Sequence, residues 1–65
     1  MDAKYNIEAE LTTVDGNAFM ILGTVRKALV RGGVSNEEID DFMTDATSGD
    51  YDHLLQVVMS TVTVT

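Results

Sequence analysis

The apolar residues of this chain change period twice, and the order of those periods constrains the fold more than any other feature. Residues 4–14 alternate, with Tyr5, Ile7, Ala9 and Leu11 on one side and Asn6, Glu8, Glu10 and Thr12 on the other. A period of two predicts a strand with one buried face. From Ala18 the spacing becomes three and four, through Ile21, Leu22, Val25, Ala28 and Leu29, which predicts an amphipathic helix. The closing run Thr61-Val62-Thr63-Val64-Thr65 alternates again and is β-branched, so it reads as a second strand. A lone strand leaves its backbone groups unpaired, which makes the two strands natural partners. Their direction relative to each other is left open.

Local signals divide the helical middle into three. Asp15-Gly16 marks a turn, and Asn17 is placed to cap the first helix. Gly32-Gly33 stops that helix, glycine taking the left-handed conformation without steric cost. Gly23, inside it, costs about 1 kcal/mol relative to alanine, and close approach of a neighbouring strand or helix would account for it. Ser35-Asn36-Glu37-Glu38 matches a capping box in which Ser35 and Glu38 satisfy each other's backbone donors, with Val34 and Ile39 in the staple positions. Ile39, Phe42, Met43 and Ala46 form the stripe of the second helix, which ends at Thr47-Ser48-Gly49. A third helix starts near Ser48 or Asp50 and turns Tyr51, Leu54, Leu55, Val58 and Met59 inward. The expected fold is therefore α+β, a single small domain over residues 1–65 ordered β-α-α-α-β, with three helices packed on one face of a two-stranded sheet. Phe19 and Phe42 are expected in the core. Met20 and Val30, at the edges of the first stripe, are expected at the surface, either as a partner surface or as scattered apolar residues.

Length and composition remove most other architectures. Sixty-five residues allow one domain, since a chain this short buries only about 60% of its unfolded surface. Without cysteine there is no disulfide framework and no thiolate metal site. The uncharged apolar-leaning run Ala18–Val25 is far below the roughly 20 residues of a membrane span. The first residues lack the basic start and apolar stretch of a signal peptide, which suits a cytoplasmic chain.

Eleven acids against four bases leave a net charge of −7. That balance argues against direct binding of nucleic acid and against an anionic membrane surface. The charge is also uneven. Arg26, Lys27 and Arg31 lie close together, whereas Glu37, Glu38, Asp40, Asp41, Asp45, Asp50 and Asp52 follow one another with no base between them. After His53 no side chain is charged.

The residue types that carry chemistry do not assemble into a known motif. His53, the one histidine, has carboxylates near it, and Asp50, three residues earlier, is the better placed for a hydrogen bond. One histidine without a second ligand makes a poor metal site, and a cap role in the first turn of a helix is the simpler reading. A calcium loop with Gly49 at its sixth position would begin at Thr44, and one with Gly16 there would begin at Leu11; neither offers the required aspartate. No glycine-rich phosphate cradle and no nucleophile elbow is present. The pairs Glu37/Glu38 and Asp40/Asp41 would need a cleft to act as glycosidase acids. The helix–turn–helix spacing around Gly32-Gly33 fails as a DNA reader because its second helix is acidic. No enzymatic activity, cofactor or metal is expected.

The segments Gly16-Asn17-Ala18-Phe19, Val25–Leu29, Glu38-Ile39-Asp40-x-Phe42 and Ala46-Thr47-Ser48-Gly49-Asp50-Tyr51-Asp52-His53-Leu54-Leu55 resemble a group of small bacterial and bacteriophage proteins with no assigned activity. The run from Thr47 to Leu55 is the most specific part. The resemblance implies a bacterial or phage cytoplasmic setting and supplies no catalytic residues.

Together these features lead to an expected non-enzymatic protein-interaction module. Its expected partner surface comprises Glu37, Asp40, Asp41, Asp45, Asp50, Asp52 and His53, and a homodimer through the exposed sheet edge is a second possibility. The alternative is an acidic decoy that presents carboxylates, as DNA presents phosphates, to a nucleic-acid-processing enzyme.

Overall fold

Each helix starts where a side-chain oxygen takes up a free backbone N–H of the first turn. In the computed structural model, which describes residues 3–11 and 16–65, Asn17 Oδ1 accepts from the Phe19 N–H at 2.8 Å and opens α1 (Ala18–Arg31). Ser35 Oγ accepts from the Glu38 N–H at 3.3 Å and opens α2 (Asn36–Ala46). Asp50 Oδ1 accepts from the His53 N–H at 2.9 Å and opens α3 (Tyr51–Thr61). Of the capping box, the half formed is the bond to Ser35. The staple is in place, with Ile39 buried and Val34 half-buried against the core.

Gly33 ends the α1–α2 turn at φ 83°, the single positive φ among the described residues. Its N–H donates to Val30 O at 3.1 Å, and the Val34 N–H reaches back to Leu29 O at 3.1 Å. An L side chain is strained at that φ, so the glycine is required there.

The helices carry the chain from β1 (Glu8–Ala9) to β2 (Thr63–Val64), which pair in parallel with Glu8 opposite Thr63 and Ala9 opposite Val64. Parallel neighbours need a long crossover, and the three helices are that crossover. Backbone bonds extend the contact beyond the two strands. Lys4 N–H donates to Ser60 O at 2.8 Å, Tyr5 N–H to Thr61 O at 3.0 Å, and Leu11 N–H to Thr65 O at 3.0 Å. The alternation expected over residues 4–14 is visible in burial: Ala9 is buried and Tyr5, Ile7 and Leu11 are half-buried, while Asn6, Glu8 and Glu10 are exposed. Residues 12–14 of the expected strand, and Asp15 of the expected turn, lie outside the described residues.

The core draws on β1 and all three helices: Ala9 from β1; Ile21, Leu22, Val25 and Leu29 from α1; Ile39, Phe42 and Ala46 from α2; Leu54, Val57 and Val58 from α3; and Val62 between α3 and β2. Leu29, Val25, Val58 and Val62 are the largest completely enclosed side chains. Each such side chain stabilises the fold by about 1.5–3 kcal/mol relative to exposure. The architecture is the expected α+β domain.

Three expectations about individual positions are corrected. Phe19 is not in the core; it is 84% exposed. Tyr51 and Met59 face outward, and α3 instead buries Leu54, Val57, Val58 and Thr61. Packing against α2 and α1 sets this rotation, and Thr61 is tolerated because its Oγ1 donates to Val57 O at 2.6 Å. Gly23 meets no neighbouring strand or helix, since a Cβ added there would find nothing within 4 Å.

Candidate functional site

The acids expected to form a partner surface do not all gather at one place: Asp41 and Asp45 line one hollow, and Asp50 lines another beside α1. Glu37, Asp40, Asp41 and Asp45 are exposed on α2, and Asp50 and Asp52 are exposed at the start of α3. No Lys or Arg forms an ion pair with any of them among the described residues; His53 Nε2 lies 3.3 Å from Asp45 Oδ1. Unpaired like charges of this density create a negative potential over the surface. Glu38, Asp41 and Asp45, at spacings of three and four, share a face of α2. They line a hollow of about 220 Å³ with Lys4, Tyr5 and Phe42. The Tyr5 hydroxyl is buried without a hydrogen-bond partner, and Lys4 Nζ lies 5.4 Å from the Tyr5 ring centroid. Among the described residues no three His, Cys, Asp or Glu are placed to hold a metal ion.

His53 joins α3 to the end of α2. Asp50 caps the helix, as expected, its Oδ1 accepting from the His53 backbone N–H in the first turn. The ring reaches back to the end of α2. There Nε2 lies 2.9 Å from Asp45 O, 3.3 Å from Asp45 Oδ1 and 3.3 Å from Ser48 Oγ. The end of α2 leaves backbone carbonyls without helical partners, and an imidazole N–H can satisfy one of them. Gly49 makes the approach possible, since a Cβ there would lie 2.9 Å from His53 Cβ and Cγ. Ser48, His53 and Asp45 superficially resemble a nucleophile, base and orienting acid. Their geometry does not fit that role, because serine and aspartate contact the same ring nitrogen. A relay needs the serine on one nitrogen and the acid on the other. The Thr47–His53 run is thus a clasp that ties the end of α2 to the first turn of α3.

A second surface lies on α1, where Met20 and Val30 were expected and Phe19 was not. Phe19 stands at the start of α1 between two hollows. One, of about 280 Å³, is walled chiefly by Ala18, Leu22, Ala46, Tyr51 and Leu54. The other, of about 150 Å³, is formed by Phe19, Met20, Gly23, Thr24 and Lys27. Tyr51 closes the end of the first, its hydroxyl donating to Gly16 O at 2.6 Å. Met20 and Val30 are about half exposed on the same helix, as expected from the edges of its stripe. The signal for Phe19 was present in the same stripe. At 100° per residue it falls outside the arc of Ile21, Leu22, Val25 and Leu29.

No protein-family model, no curated protein and no solved structure matches this chain.

Proposed function

We propose that this chain is a non-enzymatic protein-interaction module, working in a bacterial or bacteriophage cytoplasm and docking through the Phe19 end of α1. The observation that carries the reading is Phe19 itself, an aromatic side chain 84% exposed between two hollows. Exposing an aromatic costs solubility without helping the fold. Such residues are the usual anchors of protein interfaces, where one ring in a pocket supplies much of the binding energy. The setting rests on the resemblance of the Gly16–Phe19 and Thr47–Leu55 segments. The chain's net charge of −7 favours a protein partner over nucleic acid or membrane. The test is affinity capture with the wild-type chain and with Phe19→Asp. A partner retained by the first and lost from the second supports the reading; equal capture by both sinks it.

One observation favours a second reading, the acidic decoy. Glu37, Asp40 and Asp41 project from α2 with no Lys or Arg paired to them among the described residues. A decoy would capture a basic nucleic-acid-processing enzyme, and its binding would fall steeply with salt. Capture lost on Asp40→Asn/Asp41→Asn and at high salt, but unchanged by Phe19→Asp, would replace the first reading with this one.

A further inference from the structure

We propose that the outer face of α1 is a self-association surface, on which a second copy of this chain lays its own α1 antiparallel, the two helices crossing at Gly23. This rests on the reading of Phe19 as a docking anchor and names the partner. Three observations point to a second copy.

The first is Gly23. Glycine inside a helix is unfavourable relative to alanine, and nothing in the chain requires it, because a Cβ there would meet open space. A shallow hollow of about 150 Å³ lies at that point, bounded by Phe19, Met20, Thr24 and Lys27. A missing side chain on an outward helix face lets another helix backbone come close, which is the use small residues have at helix crossings.

The second is charge. Copies of a chain carrying −7 repel each other, and they do so most through α2 and the start of α3. Helix α1 contains no acid and holds three of the four bases, Arg26, Lys27 and Arg31. Two copies that meet on it bring no acid of one helix against an acid of the other, and its bases remain to be placed apart.

The third is the distribution along α1. Its first half presents Phe19 and Met20, and its second half presents Arg26 and Lys27. A two-fold axis at Gly23 sets Phe19 of one copy against Lys27 of the other, and Met20 against Arg26. Each cation then lies over the apolar half of its partner, within reach of a cation–π contact. A parallel pair would instead stack Lys27 on Lys27. The antiparallel contact is isologous and closes at two copies.

A helix of 14 residues offers a narrow strip, smaller than the roughly 800 Å² per partner of standard interfaces, so the dimer is expected to be weak, with Kd on the order of 0.1 mM. Sedimentation equilibrium on the full chain, from about 10 μM to about 1 mM, reads this directly. The expected mass rises from 7.1 kDa towards twice that value. Gly23→Leu should weaken the dimer at least tenfold while raising the melting temperature of the monomer, because leucine is the better helix former. Lys27→Glu should also weaken it, and Phe19→Asp should abolish it. Val64→Pro should leave it intact: the residues flanking Val64 make the bonds to β1, so proline there blocks only the outer sheet edge. A mass fixed at 7.1 kDa overturns the proposal. So does a dimer that survives Phe19→Asp and Gly23→Leu but is lost on Val64→Pro. If the chain stays monomeric yet captures another protein through Phe19, self-association fails and the interaction-module reading stands. If Phe19→Asp changes neither mass nor capture, both fail.

Discussion

Helices α1 and α2 are built alike and finished differently. Both begin at a side-chain cap, both turn one apolar stripe to the same core, and they are joined by the short Gly32-Gly33 turn. Their outer faces are opposites. That of α2 carries only acids among its charged residues, whereas that of α1 carries bases, a bare glycine and exposed apolar side chains. The two phenylalanines mark the contrast most sharply. Phe42 is 6% exposed and Phe19 is 84% exposed. The inner faces account for folding, and the outer faces are what each helix offers to another molecule.

The largest expected effect separates the two rings. Phe42→Ala should cost about 3–5 kcal/mol in urea denaturation, through lost burial and the cavity left behind. Phe19→Ala should stay within about 0.5 kcal/mol of wild type. A comparable loss for both would erase the contrast and put Phe19 back among the residues that hold the fold. A middle-sized effect belongs to the joint after α2. Gly49→Ala forces a Cβ against His53 and should cost about 1–3 kcal/mol, read by the same denaturation curves. His53→Ala should cost about 1 kcal/mol, the scale of its bond to the Asp45 carbonyl. If both changes are silent, the Thr47–His53 run is not a clasp, and the specificity of that run must be sought in binding. The smallest effect concerns α2 alone. Asp41 stands four residues from both Glu37 and Asp45, so Asp41→Asn should stabilise the chain by about 0.5 kcal/mol in low salt and by less in high salt. A destabilisation would mean that the acids serve the fold and not a partner.

The order of elements was legible because each boundary is a local event: Asn17, Ser35 and Asp50 cap their helices, and Gly33 takes the positive φ. What lay beyond reach depended on residues distant in sequence. Parallel pairing of the strands is decided by how the helices cross the sheet, and no alternation within a strand encodes that. The inward face of α3 was read from Tyr51, Leu54, Leu55, Val58 and Met59. It is set by contact on two sides, which brings Val57 and Thr61 inward and leaves Tyr51 and Met59 out. For the candidate site, the exposure of Glu37, Asp40, Asp41, Asp45, Asp50 and Asp52 followed from their charge. The partner of the His53 ring did not, because Asp45 comes into reach only when the chain doubles back at Gly49. Phe19 was misread by residue type, large aromatics being assigned to the interior, although its angular position already pointed outward.

The parallel pairing of β1 with β2 has a kinetic side. Each helix finds a packing neighbour a short turn away, whereas Glu8 can meet Thr63 only after all three helices have carried the chain back. The closure entropy of that loop falls on a handful of backbone bonds between very short strands. The sheet is therefore the last contact to close and the first to open, and it reports on the helices more than it supports them. Any event that loosens the packing of α1, α2 or α3 releases the two ends of the fold together.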